Sequence, residues 1–252
     1  MTAFRHDAVI TPVWPAPDAV HAVSTTRLGG VSSGDFASLN LAMHTGDVPA
    51  RVRENRRRLA VAFAMPFDVL WLKQCHGITV VNTAAHYNAP PKADASWACE
   101  PGKVCAVQSA DCLPVLFCDR AGTRVAAAHA GWRGLCAGVL ERVVAALQCD
   151  PADLLAWLGP AIGPAAFEVG AEVRAAFLRA DDRAEAAFTA HRPGCYRASL
   201  FMLARQRLQR AGVTAVYGGG LCSYSDPRRF FSYRRQRVTG RMASMVWLAP
   251  CL

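Results

Sequence analysis

Apolar residues fall in short, separated blocks along the chain, at 19–25, 69–72, 78–82, 104–108, 113–118, 124–128, 154–158, 213–217 and 242–248. Blocks of this length, bounded by polar or turn-forming residues, predict β-strands. Between them, 48–64, 134–148, 170–180 and 197–211 read as helical stretches. Strands and helices therefore interleave irregularly. Blocks such as "LPVLFC" and "RVAAAH" are apolar at successive positions, which in a strand means that both faces are covered. The pattern predicts an α+β fold of two packed β-sheets flanked by helices, in α/β/β/α layers. No repeat, low-complexity tract or linker interrupts it, so one domain over 1–252 is expected.

One pair of blocks carries candidate chemistry. "DRAG" (119–122) is a turn signal between 113–118 and 124–128, and predicts a tight antiparallel hairpin. A two-residue loop of Arg120 and Ala121 would set Cys112 opposite His129; a three-residue loop ending in Gly122 would move the register by one and keep them neighbours. Pro114 weakens the ladder there, as at an edge or bulge. Gly131 and Gly134 in "HAGWRG" allow a sharp exit into a helix beginning near Leu135. The thiol and the imidazole thus meet at an open strand end.

A cysteine nucleophile with a histidine base, oriented by Asp111 or another carboxylate, would use such a pair. So would a zinc ion, given one more protein ligand and one open position. A structural coincidence would use neither. His76 in "WLKQCHG" is a candidate third ligand, although Cys75 competes with it and a lone histidine at a turn is more often a surface or capping residue. The separations from 76 to 112 and from 112 to 129 match no local zinc pattern.

Composition narrows the classes. The chain has 252 residues, 52% hydrophobic and 19% charged, enough to bury a large core and too apolar for disorder. No apolar run approaches a membrane span and "MTAFRHDAVI" lacks a signal-peptide core, so a cytoplasmic protein without membrane contact is expected. Ten cysteines without any C-x-x-C read as reduced thiols, most of them packed in the core. The net charge of +9 comes almost wholly from arginine, concentrated at 51–59 and 226–241. The first cluster reads as a solvated helix face. The second mixes arginine with Phe230, Phe231 and Tyr233 and, with no RNA-binding signature, fits a small nucleoside better than nucleic acid. The longest irregular segment, 25–49, is rich in Gly, Ser, Asn and Asp, and its length marks it as functional or disordered. Nothing in the sequence sets the oligomeric state.

Together, "TTRLGGVSSGDFASLNLAMHTGD", "LKQCHG", "ADASW", "QSADCLPVLF", "AAHAGWRG", "LGPAIGPAAFEVG" and "DPRRFFSYRR…TGR" resemble the bacterial laccase-domain family, also called peptidoglycan editing factors. The likeness runs in order from about residue 20 to residue 248. It implies helices over two mixed sheets, and a metal held by His76, Cys112 and His129. It also implies a purine nucleoside phosphorylase acting on adenosine, inosine and methylthioadenosine, with adenosine deaminase activity; an older description is copper-dependent polyphenol oxidase. A single His2Cys set suits zinc and can activate water for attack on C6 of adenine. It cannot supply several copper centres, although one copper ion is possible.

Phosphorolysis needs a phosphate site. Arg27, beside Gly29 and Gly30, is the first candidate, with Arg133 and Arg241 behind it because either can pair with a carboxylate. Asn40 can bond the ribose hydroxyls or hold its own loop. Asp111 can shuttle a proton, form a turn, or orient a metal-bound imidazole, the last being ranked first. Trp132 can stack on a purine or simply pack. Two stretches depart from the family pattern: Gln108 and Ser109 stand where a threonine-containing strand is usual, and "CYRASL" replaces an acidic pair. Besides the zinc enzyme, a metal-free cysteine hydrolase using Cys112 and His129, and a basic binding protein without catalysis, remain open from sequence.

Overall fold

The computed structural model describes residues 6–65 and 69–249. In chain order the strands are β1 (Val9–Ile10), β2 (Val20–Thr25), β3 (Val69–Leu70), β4 (Val80–Asn82), β5 (Ala95–Ala98), β6 (Val104–Ser109) and β7 (Leu113–Asp119). They continue with β8 (Val125–Ala130), β9 (Leu154–Leu158), β10 (Glu168–Gly170), β11 (Phe188–Arg192), β12 (Cys195–Ala198), β13 (Ala215–Gly218) and β14 (Met242–Leu248). The α-helices are α1 (Pro49–Ala62), α2 (Trp132–Ala137), α3 (Val139–Leu147), α4 (Ala171–Leu178) and α5 (Leu200–Arg210).

A five-stranded sheet in the order β1-β2-β14-β6-β3 packs on a six-stranded sheet in the order β13-β9-β7-β8-β5-β4. Both are mixed, because β3 runs parallel to β6, β13 to β9 and β4 to β5 while the other neighbours are antiparallel. Alternation along each strand decides what it touches. Leu116, Cys118, Val125 and Ala127 face Cys105, Val107 and Val246 between the sheets. Leu113, Val115, Phe117, Ala126 and Ala128 face outward onto Leu140, Val143 and Leu147 of α3 and Leu203 and Leu208 of α5. On the other side, Leu59 and Ala60 of α1 cover Val104, Ala106, Met245 and Trp247. The α/β/β/α layering expected from the doubly apolar strands is present.

A third, three-stranded sheet, β10-β12-β11, was not expected. Four of the five residues of β11 are exposed, so no apolar block marks it. The expected helix at 134–148 is also two helices. It starts earlier, at Trp132, and breaks at Gly138, whose φ of +100° is left-handed and costs a glycine little.

The hairpin register differs from both sequence expectations. Pro114 lies opposite His129 and Leu113 opposite Ala130. The cause is Asp119. Its Oδ1 accepts from the amides of Thr123 (2.7 Å) and Arg124 (2.9 Å), and its own amide donates to the Arg124 carbonyl, so the loop is closed at 120–123. The slip from the two-residue-loop register is two residues, and a two-residue slip leaves every side chain on its expected face.

The 25–49 segment is ordered by buried polar contacts. Asn55 of α1, fully buried, donates to Ser32 Oγ and to the Asn40 carbonyl, both at 2.9 Å, and accepts from the Val31 amide at 2.7 Å. No helix among the described residues is long and apolar enough to cross a membrane.

Candidate metal centre

Three segments distant in sequence deliver the donors. His129 is the penultimate residue of β8, Cys112 immediately precedes β7, and His76 lies in the loop between β3 and β4. Their ligand atoms all lie within 4.8 Å of one another, with Cys112 Sγ 3.9 Å from His76 Nε2. The two imidazoles meet edge to face, centroids 4.9 Å apart at 75°. Two imidazoles and a thiolate at this spacing fit a tetrahedral ion with three protein ligands and one open position.

Close approach of the backbone makes the cluster possible. A Cβ on Gly131 would sit 2.9 Å from His76 Cδ2 and 3.0 Å from Cys112 Sγ, and one on Gly134 would sit 2.8 Å from the Gly77 carbonyl oxygen. The glycines of "HAGWRG" are thus required by contact with the ligand segments. Gly131 has φ −63°, open to any residue, so the sharp exit expected of it is not its reason.

The carboxylate behind the histidines is Asp94, which sequence reasoning did not single out. It is fully buried just before β5 and lies 2.9 Å from His129 Nδ1. Burial raises its pKa, but the bonds from His129 and the Gly77 amide outweigh this and hold it well below the usual carboxylate range. An ionised Asp94 only accepts, so His129 carries its proton on Nδ1 and presents Nε2 to the cluster. Its only sequence signal was the motif "ADASW", an acid set among small apolar residues.

Asp111 takes a different place from the one ranked first. Its Oδ1 accepts from Ser223 Oγ (2.7 Å) and its Oδ2 from the Arg234 amide (2.6 Å). It therefore binds the arginine-rich segment near the C-terminus to the residue before Cys112, and orientation of His129 falls to Asp94. Asp111 has φ +96° and His76 φ +61°, left-handed conformations uncommon outside glycine, though aspartate and histidine tolerate them better than most side chains.

Cys112 and His129 polarise each other. Burial would raise the thiol, yet the neighbouring His129 and His76 bring it down to about 6. Burial would lower His129, yet Cys112 and Asp94 push it up to about 9. Cys105 and Cys118, buried among apolar side chains, are pushed up to about 12. The cluster favours a thiolate, the form that binds metal.

The donors open onto a cavity of about 420 Å³, whose wall also includes His44, Gln74, Ser109, Arg133, Tyr233 and Arg241. That volume lies in the range of small-molecule sites. Arg133 is exposed, with its guanidinium 4.5 Å from the Trp132 ring centroid. Arg241 is braced by the Thr239 and Gly240 carbonyls and lies 5.6 Å from the Tyr233 ring centroid.

Arg27 and Asn40 are not part of this wall. Arg27 donates from Nε to the Ala37 carbonyl (2.7 Å) and from Nη1 to that of Pro227 (3.2 Å), and packs on Phe231. Asn40, fully buried, bonds Thr45, Asp47, Ala42 and the Arg241 amide, so of its two expected roles it fills the one that holds the loop. Of the three arginine candidates, Arg133 and Arg241 are at the cavity and Arg27 is not. Tyr233, one of three aromatics read from the sequence as suiting a small nucleoside, is in the wall, whereas Phe230 and Phe231 are fully buried; His44, also in the wall, was quoted within a motif but given no role.

Residues 21–249 match the family described as multi-copper polyphenol oxidoreductase laccase. The chain is 55% identical over 240 residues to the purine nucleoside phosphorylase YfiH of Escherichia coli, covering 95% of this chain and 98% of that protein. It is 56% identical over 243 residues to the purine nucleoside phosphorylase PA4543 of Pseudomonas aeruginosa, covering 96% and 99%. The crystal structure of Neisseria meningitidis NMB0706 superposes with a TM-score of 0.94 at 49% identity, covering 96% of this chain and all of that one. That of YlmD from Geobacillus stearothermophilus gives 0.86 at 31% identity, covering 98% and 99%.

Proposed function

The chain belongs to the multi-copper polyphenol oxidoreductase laccase family, and from that footing we propose that it is a zinc-dependent purine nucleoside phosphorylase with adenosine deaminase activity. Adenosine, inosine or S-methyl-5'-thioadenosine would react with phosphate to give the free base and the corresponding sugar 1-phosphate. The observation that carries this reading is a three-donor centre and two arginines sharing one nucleoside-sized cavity. Relatives above 50% identity bearing the phosphorylase name support it.

His76, Cys112 and His129 would hold the ion, which supplies Lewis acidity at the cavity wall. Arg133 and Arg241 would hold phosphate, since guanidinium forks match its oxygens and balance its charge. Tyr233, in the wall beside Arg241, would offer its ring to a purine, whereas Trp132 packs against the core under Arg133 and is outside the wall. Asp111, with both oxygens engaged, would act by fixing the backbone that presents Cys112. Arg27 and Asn40 would serve the reaction by holding the 25–49 loop, and Asn40 also by fixing Arg241. Copper suits the donors as a single ion, but several copper centres do not follow: one such group of potential ligands occurs among the described residues.

The test is base release from adenosine, inosine and methylthioadenosine by zinc-loaded protein, with and without phosphate. Phosphate-dependent formation of the sugar 1-phosphate is expected, and absence of base release from every purine nucleoside overturns the reading. One observation favours a second reading, a cysteine hydrolase: the lowered Cys112 thiol beside a histidine oriented by Asp94 also describes an activated nucleophile. Activity that survives chelation and is lost on alkylation would select it.

A further inference from the structure

One buried carboxylate ties together two of the three ligand-bearing segments. Asp94 Oδ1 accepts from His129 Nδ1 at 2.9 Å and from the His76 amide at 2.8 Å. Its Oδ2 accepts from the amides of Cys75 (3.1 Å) and Gly77 (2.7 Å) and from Cys75 Sγ (3.2 Å). The His129 amide in turn donates to the Asp94 carbonyl at 2.7 Å. We infer that Asp94 is the positioning residue of the metal centre and also its internal counter-charge, matching the site to a divalent rather than a monovalent ion.

The positioning part follows from the contacts. Three successive amides, of residues 75, 76 and 77, converge on one carboxylate, an arrangement that stabilises an anion and compensates the left-handed backbone of His76. The same carboxylate selects the His129 tautomer that leaves Nε2 free to bind. With both oxygens fully engaged, Asp94 has no lone pair directed at the cluster and is not itself a ligand.

The counter-charge part follows from burial. Asp94 is fully buried and the ring of His129 nearly so, and uncompensated charge in such a place is costly. A divalent ion with the Cys112 thiolate, two neutral imidazoles and the Asp94 carboxylate sums to zero. A monovalent ion in the same set leaves a net negative charge. Arg133 and Arg241 stand in the wall of the open cavity, where solvent screens their charge.

This inference rests on the metal centre alone and stands or falls apart from the nucleoside chemistry. Asp94→Asn removes the charge with little change in size, whereas Asp94→Glu keeps it. Competition with chromophoric chelators is expected to show Zn2+ affinity falling about 10- to 100-fold in Asp94→Asn, with Cu+ affinity falling much less and Asp94→Glu recovering part of the Zn2+ preference. Equal losses for both ions would overturn the counter-charge, and unchanged affinities would overturn the whole inference. Should Asp94→Asn fail to fold, long-range 1H–15N spectra of the zinc-loaded wild type decide the positioning role. A proton on His129 Nδ1 is expected, and one on Nε2 would overturn it. The ratio of Zn2+ to Cu+ affinity in a second neutral variant, Asp94→Ser, taken relative to the wild type, then decides the counter-charge: a ratio about tenfold or more below the wild-type value is expected, and an unchanged ratio would overturn it.

Discussion

The 25–49 loop and the metal wall of the cavity use the same kinds of side chain to opposite effect. In the loop, Asn40 and Asn55 are fully buried and their amide groups are spent on backbone and side-chain partners, while two of Arg27's donor nitrogens go to carbonyl oxygens. In the wall, His129 is held from behind by Asp94, and its other nitrogen joins donors from His76 and Cys112 within 4.8 Å. Polar groups whose partners are all protein stabilise a fold. Polar groups held rigidly on one side and left open on the other are prepared for a ligand.

Breaking the wall has the largest expected effect. Cys112→Ser is expected to abolish stoichiometric metal and lower phosphorolysis by about 10³-fold or more, measured by metal analysis and by sugar 1-phosphate release, with the thermal transition still cooperative. A contrast between arginines sharpens the comparison. Arg133→Ala is expected to lower kcat/KM for phosphate by about 30-fold or more, the worth of a lost charged hydrogen bond. Arg27→Ala is expected to destabilise the fold by about 1 to 2 kcal/mol in denaturant titration while the KM for phosphate changes little.

A smaller effect probes close approach. In Gly131→Ala the new methyl would meet Cys112 Sγ at 3.0 Å, and metal affinity is expected to fall about tenfold in chelator competition. The smallest effect is a difference in reactivity with pH. A lowered thiol pKa means that the Cys112 thiolate persists above about pH 6 and is lost as pH falls through that value. Peptide mapping of metal-free protein with iodoacetamide at pH 7 is expected to show Cys112 modified far ahead of Cys105 and Cys118, and zinc to protect it.

Much of the layer structure was legible because strands apolar on both faces, such as Leu113–Asp119, have to be covered on both sides. The small third sheet was not, because its exposed residues carry no apolar period. The Cys112–His129 neighbourhood was foreseen even though the register was wrong: Asp119 lengthened the loop, and a two-residue slip preserves the face of every side chain. Asp94 was missed because a lone acid between alanines has no local spacing to a histidine 35 positions away.

The sequence by itself determined the alternation that builds the core, the hairpin that brings Cys112 toward His129, and the family likeness that pointed to His76 as the third donor. Only the tertiary structure decided which polar side chains face the cavity. Asp94 rather than Asp111 orients His129, and Arg133 and Arg241 rather than Arg27 line the cavity. The physical reason is that apolar burial follows a local period, whereas a hydrogen bond is set by where remote loops place a single atom to within a few tenths of an ångström.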